Sequence, residues 1–161
     1  MLNEYKRILV PVDGSKLSED TLLKAAEVAM RNQARVDVLN VLNTTSFGFS
    51  YGVIDSDAIT QMVDDQISYL KDLVKTTKEK TGITDIHMHV RFGSPKNIIT
   101  YDFTHDYDTD LIMMGATGKN AAERIFEGSV ASFVNSHAPC DVLIVRTGLD
   151  NKLLPKNKLL A

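Results

Sequence analysis

Apolar residues follow two periods along the chain, and the two alternate. Five short apolar runs of strand length are separated by longer stretches in which apolar residues recur every three or four positions. The predicted strands lie at residues 8–12, 36–42, 86–92, 111–114 and 142–145. Strands and helices that alternate in this way favour an α/β fold with a parallel sheet, right-handed crossovers and helices on both faces.

The helices are predicted from apolar spacing and from the residues that flank it. Ser18 can cap the first helix. A long amphipathic helix is predicted from Ser56 to Lys80, and Gly82 is well placed to end it. A shorter helix should run from Pro95 to His105, because proline suits the first helical position.

The third predicted strand has one polar face, which is typical of the edge of a sheet. Its apolar residues alternate with His87, His89 and Arg91. Two imidazoles at this spacing could ligate a metal, but no third ligand is near them in the sequence. We therefore interpret this face as solvated, and we assign no metal ligand.

The stretch from Asp110 to Val130 carries the strongest functional signal. An apolar run ends at Gly115, Gly118 follows, and after nine more residues Gly128 and Ser129 open a segment with helical spacing. The first amides of a helix lack intrahelical partners and lie at the positive end of its dipole, and glycines let the main chain approach a ligand. The spacing predicts a strand, a loop and a helix start that suit a phosphate.

This glycine and serine spacing resembles the nucleotide-binding signature of the ATP-binding branch of the universal stress protein family. The segments Lys6 to Ser15 (KRILVPVDGS), Asp110 to Gly115 (DLIMMG) and Ala138 to Arg146 (APCDVLIVR) are also similar to that family. The resemblance spans nearly all of residues 5–146. It implies a three-layer α/β/α sandwich whose five-stranded parallel sheet has the order 3-2-1-4-5, an adenine nucleotide alpha-hydrolase-like fold.

In that order the winding reverses between the first and fourth strands, and ligands of open sheets bind at the carboxyl ends of the strands beside such a switch. We therefore expect a site between the end of the first strand and the loop from Gly115 to Gly128, called the glycine loop below. Its predicted cofactor-binding residues are Pro11, Val12, Asp13, Val41, Gly115, Gly118, Gly128, Ser129 and Val130.

The roles within this site follow partly from chemistry and partly from the resemblance. The amides of the glycine loop and of the helix start would hold phosphates, with the Ser129 hydroxyl as a further donor. Asp13 would bind a ribose hydroxyl or water on a metal, although it also suits a turn beside Gly14. The resemblance implies main-chain contacts from Val41 to adenine. The expected cofactor is ATP or another adenine nucleotide, with Mg²⁺ bridging the phosphates.

The sequence assigns no catalytic residue. It lacks a P-loop, a kinase signature set and a nucleophile elbow. We interpret the protein as an ATP-binding sensor or regulatory module in the stress response. Two alternatives stay open: an enzyme that slowly hydrolyses ATP or adenylates a substrate on the same fold, and an interaction module without nucleotide.

Four other features have two interpretations each. Lys119 and Arg124 in the glycine loop either pair with phosphate or are solvated. The long loop from Asn43 to Gly52 is either a lid or a disordered segment. Cys140 is either a redox thiol or a small apolar residue at the last strand. The tail from Gly148 to Ala161 is either frayed or docks on a partner.

Composition limits the remaining classes. A chain of 161 residues with 43% hydrophobic and 24% charged residues is expected to form one soluble domain, here residues 1–147, followed by the tail, 148–161. The net charge of −3 argues against a nucleic-acid or membrane-surface binder, and the absence of a long apolar run favours the cytoplasm. The resemblance implies a homodimer through the fifth strand, Val142 to Val145. The exposed apolar edge of this strand would otherwise pair non-specifically with other chains.

Overall fold

The five strands of the computed structural model form one parallel sheet in the order β3-β2-β1-β4-β5, which confirms the predicted fold. The structure describes residues 3–43, 55–118 and 127–155. The strands are β1 (Arg7–Pro11), β2 (Arg35–Asn43), β3 (Ile86–Gly93), β4 (Leu111–Gly115) and β5 (Asp141–Val145). β3 therefore lies at one edge of the sheet, as its polar pattern predicts, and β5 lies at the other.

Helices cover both faces of the sheet. They are α1 (Lys16–Asn32), α2 (Ser56–Thr81), α3 (Pro95–Asn97), α4 (Phe103–Asp106) and α5 (Ser129–His137), and a π-helical segment (Ile98–Asp102) joins α3 to α4. The helix predicted from Pro95 to His105 is thus one irregular helix in three parts. Within the described ranges, no helix is both long enough and apolar enough to cross a membrane.

Each face of the sheet has its own apolar core. Beneath α1 and α2 the buried residues include Ile8, Val10, Val36, Val38 and Leu70. Beneath the other helices they include Leu9, Leu39, Ile99, Phe103 and Ile112. Successive residues of the central strands thus enter opposite cores, which explains why these strands are apolar without alternation.

The caps of the two long helices differ in how well the sequence predicts them. Gly82 ends α2 with a φ of 80°, as predicted, and its amide donates to the Lys78 carbonyl. The prediction that Ser18 caps α1 was wrong. Ser15 is the N-cap residue, and its Oγ accepts from the Ser18 amide at 3.2 Å. The helix begins directly after the turn that leaves β1, one turn earlier than its apolar residues indicate.

The first part of the tail packs on its own domain. Lys24 of α1 donates to the Thr147 carbonyl at 3.2 Å and to the Asn151 side chain at 3.1 Å. Leu154 packs against the core beneath α1 and α2. Residues 148–155 therefore lie along α1. This packing on its own domain is neither of the two interpretations that the sequence offers, a frayed tail or a tail docked on a partner.

The polar face of β3 is only partly solvated. The side chain of His87 is 48% exposed, but Nε2 of His89 lies 2.8 Å from Oδ1 of buried Asp37 and donates to it. Arg35 also binds that oxygen, at 2.9 Å. The prediction of a solvated face was therefore wrong for His89. Burial raises the pKa of Asp37, but the hydrogen bonds from His89 and Arg35 lower it by more than burial raises it. The net pKa is therefore below its usual value.

Replacement of Asp37 by Asn should lower the free energy of unfolding by about 3 kcal/mol at pH 7, because it breaks a buried ion pair. The carboxylate contributes stability above its unfolded pKa of 3.8, and this contribution is lost as the pH falls through the lower folded pKa. Urea unfolding should therefore show a gap between the wild type and Asp37→Asn that narrows from pH 7 to pH 3. The control is the exposed His87→Ala, with an effect below about 0.5 kcal/mol. A gap of equal size at both pH values would contradict the assignment.

Candidate functional site

β1 loses its contact with β4 at a proline. The ladder between the two strands stops after Leu9 and Ile112. The next amide of β1 that could face β4 would belong to residue 11, and Pro11 has no N–H to donate. β4 continues to Gly115, whereas β1 ends at Pro11. The two strands therefore part at their carboxyl ends, at the switch point predicted for the site.

β1 loses its contact with β2 at nearly the same point. The ladder ends at the pair Pro11 and Leu39, with one further bond from the Val12 amide to the Leu39 carbonyl at 2.8 Å. In a regular parallel ladder the next bond would run from the Val41 amide to the Val12 carbonyl. Nδ2 of Asn40 donates to that carbonyl instead, at 2.9 Å. Because alternate residues of a strand face the same neighbour, the N–H and C=O of Val41 point toward the gap where β1 has ended.

The two carboxylate oxygens of Asp13 have different surroundings. Oδ1 accepts from the Ser15 amide at 3.0 Å and so supports a turn in which Gly14 has a φ of 81°. Oδ2 lies beside Gly118, where an added Cβ would be only 2.4 Å from it. One oxygen thus supports the turn, and the other lies against Gly118.

Main-chain hydrogen bonds close the base of the glycine loop. The Ala116 amide donates to the Val145 carbonyl at 2.8 Å, and the Gly128 amide donates to the Ala116 carbonyl at 2.6 Å. α5 begins at Ser129, one of the two residues at which the sequence predicts its start, and Gly128 is its N-cap residue. The amides of Ser129 and Val130 have no acceptor within the helix, because they belong to its first turn. The Gly128 amide already has an acceptor, so the predicted phosphate contact at Gly128 would require that bond to break.

Charged groups surround the crevice on both faces of the sheet. Beside the start of α5, Nη2 of Arg146 lies 3.2 Å from Oε2 of Glu127 and offsets a carboxylate that would repel a phosphate. On the α2 side, the Tyr69 hydroxyl donates to Glu19 at 3.1 Å. Burial, the charge and hydrogen bond of Glu19, and the charge of Asp13 together raise the pKa of Tyr69. Tyr69 is therefore a neutral phenol near the site.

The sequence analysis does not identify Tyr69 or Asn40 as residues near the site. Tyr69 lies on a long helix in which apolar spacing is the main signal, so it has no distinguishing pattern. Asn40 is one of several polar residues in β2, and the periodicity of the strand alone does not distinguish it from the others.

Some predicted features lie outside the described residues. These are Lys119, Arg124 and most of the loop from Asn43 to Gly52. Cys140 is described: burial and, secondarily, the charges of nearby carboxylates raise its thiol pKa to about 11. Such a thiol holds little thiolate at neutral pH, which favours the interpretation of Cys140 as a packing residue. Across the described ranges, no three His, Cys, Asp or Glu side chains come together as a metal site.

The chain matches the model of the Universal stress protein family over residues 4–146. It is 42% identical over 146 residues to a protein of Staphylococcus saprophyticus subsp. saprophyticus that is named for this family, and the alignment covers 89% of this chain and 84% of the relative. The chain therefore belongs to the universal stress protein family.

Solved structures of the family have the same fold. The universal stress protein UspA from Lactobacillus plantarum is 29% identical, with a TM-score of 0.72 over 90% of this chain and 100% of that one. A universal stress protein in complex with cAMP is 20% identical, with a TM-score of 0.66 over 91% and 100%. A universal stress protein from Archaeoglobus fulgidus in complex with dAMP is 24% identical, with a TM-score of 0.61 over 87% and 97%.

Gly118→Ala should lower the free energy of unfolding by about 1 kcal/mol, because the new Cβ forces the Asp13 carboxylate out of its turn. In an Asp13→Ala background the same substitution should cost close to nothing, since the overlapping oxygen is gone. Chemical denaturation of the four proteins in this cycle measures both values. An equal cost in both backgrounds would show that Asp13 is not what requires a glycine at residue 118.

Proposed function

We propose that this protein binds an adenine nucleotide in the crevice at the end of β1 and acts as a nucleotide-dependent sensor or regulatory module in the stress response. The observation that carries the proposal is the contact between Gly118 and the Asp13 carboxylate. It brings the glycine loop beside the end of β1, in a crevice that the sheet leaves open.

The phosphates would bind at the start of α5. The amides of Ser129 and Val130 point out of the first turn, and the helix dipole favours an anion there. The Gly118 amide and the Ser129 hydroxyl would add donors. Asp13 would face the ribose or a hydrated Mg²⁺ rather than a phosphate, because two anions repel each other.

The adenine base would bind between the ends of β1 and β2. The adjacent N–H and C=O of Val41 offer one donor and one acceptor, which match the ring N1 and the exocyclic amino group of adenine. Pro11 and Val12 would supply an apolar surface for the ring. The two relatives with bound nucleotide support an adenine ligand, since cAMP and dAMP differ in the phosphate and in the sugar but share the base. The glycine and serine spacing supports ATP, with Mg²⁺ on its phosphates.

Calorimetry with ATP and Mg²⁺ should show saturable binding to the native protein. The double variant Gly118→Val with Ser129→Ala should bind at least about tenfold more weakly, because it fills the space beside Asp13 and removes a hydroxyl donor. Ser136→Ala, two turns along the same helix, is the matched control and should bind like the wild type.

Two results would contradict the nucleotide proposal: no heat of binding in the native protein, or equal affinity in the wild type and the double variant. Mass spectrometry of small molecules released on denaturation gives an independent readout. It should detect an adenine nucleotide that is retained through purification.

We further propose that β5 mediates a homodimer by pairing with a second copy of itself. β5 is an edge strand whose Leu143 is 43% exposed, and no strand among the described residues pairs with its outer edge. Pairing of identical edges about a two-fold axis would bury the segment Val142 to Val145.

Light scattering at micromolar concentration should give the mass of a dimer for the wild type and of a monomer for Leu143→Lys, which places a charge at the proposed interface. Met30→Lys is the matched control, because Met30 is a similarly exposed apolar residue on α1, at 39%. A monomeric wild type, or a Leu143→Lys variant that stays dimeric, would contradict the interface.

A further inference from the structure

Asn40 is a buried polar residue in a strand that is covered on both faces. Its exposure is 6%, and Val36 and Val38 on the same face of β2 are fully buried in the core beneath α1 and α2. An aliphatic side chain would suit this position better, because a buried amide is costly unless its hydrogen bonds are made. A specific contact must therefore compensate for the amide.

The orientation of this amide is fixed by its neighbour. Nδ2 lies 2.9 Å from the carbonyl oxygen of Val12, and a carbonyl can only accept, so the nitrogen must face it. Oδ1 is consequently directed elsewhere, and it is buried without a hydrogen-bond partner in the described structure. The side chain thus makes one hydrogen bond and leaves one acceptor unsatisfied.

The bond that Asn40 makes takes the place of a ladder bond. The Val12 amide still pairs with the Leu39 carbonyl, so β1 and β2 are in register up to this residue. The next donor in a regular ladder is the Val41 amide. In the described structure the Val12 carbonyl accepts from Nδ2 of Asn40 and not from the Val41 amide, so the ladder stops one bond early.

We infer that Asn40 is a positioning residue that keeps the carboxyl ends of β1 and β2 apart. The N–H and C=O of Val41 thereby stay available for the base of the nucleotide. The inference rests on the proposed function for the identity of the ligand, but the competition between Asn40 and the Val41 amide exists without any ligand. Asn40 acts through Val41 and does not itself contact the base.

The variant Asn40→Leu tests this role, since Leu has the same branching as Asn but can neither donate nor accept. The freed Val12 carbonyl should then accept from the Val41 amide. Amide hydrogen exchange of the ligand-free protein, measured by NMR, should slow by about tenfold or more at Val41. The urea midpoint should stay the same or rise, because an unsatisfied buried acceptor has been removed. Asn40→Val gives the same test with a side chain that suits strands, should Leu pack poorly.

Nucleotide binding gives the second readout. By calorimetry, Asn40→Leu or Asn40→Val should bind ATP with Mg²⁺ at least about tenfold more weakly than the wild type, despite equal or higher stability. Thr100→Val is the matched control, because Thr100 is also buried and its Oγ1 has no hydrogen-bond partner among the described residues, but it lies on the helical segment over the opposite face. It should change neither the exchange at Val41 nor the affinity.

The outcomes separate this inference from the proposed function. Unchanged exchange at Val41 in both Asn40 variants would overturn the inference, as would slowed exchange with unaltered ATP affinity. If the wild type binds no nucleotide but exchange at Val41 slows in the variants, the proposed function fails and the role of Asn40 in the ladder is supported.

Discussion

The candidate site exists because β1, the central strand, stops pairing with both of its neighbours at its carboxyl end. On the β4 side the ladder cannot continue past Pro11, which has no amide to donate. On the β2 side the Val12 carbonyl accepts from Nδ2 of Asn40 and makes no bond with the Val41 amide. The sheet therefore opens at its carboxyl edge, while both cores beneath it remain filled.

The opened edge presents main-chain groups more than side chains. The end of β2 offers the peptide groups of Val41, and the start of α5 offers the amides of Ser129 and Val130. Gly118 lets the loop approach the Asp13 carboxylate, which a side chain would prevent. Such a site depends on residues that shape the backbone, so it can be kept while the surrounding side chains change.

The sequence predicts well what depends on neighbouring residues. The strands, the end of α2 at Gly82 and the start of α5 at Ser129 follow from apolar runs, a left-handed cap and helical spacing. The strand order came from the family resemblance, since periodicity alone does not fix it. The contact between Asp13 and Gly118 was expected only as a general proximity of two strand ends.

Contacts between distant parts of the chain could not be predicted in this way. His89 has a polar-face pattern typical of a solvated strand, yet it binds Asp37, 52 residues away, beneath the helical segments that follow β3. The Gly128 amide, predicted to contact a phosphate, pairs with the Ala116 carbonyl across the base of the loop. Asn40 is one of several polar residues in β2, and its contact with Val12 follows only from the register of β1 against β2. In each case the partner is set by tertiary packing, which local sequence does not encode.

The location of the nucleotide site is the central claim, and an NMR titration of the isotopically labelled protein with ATP and Mg²⁺ tests it most directly. The largest changes in chemical shift should occur at the amides of Val41, Gly118 and Ser129. A second concave surface lies between α2 and the amino-terminal half of β3, and α2 lines it with Lys71, Lys75, Lys78 and Glu79. Changes confined to that groove, with Val41, Gly118 and Ser129 unaffected, would contradict the assignment.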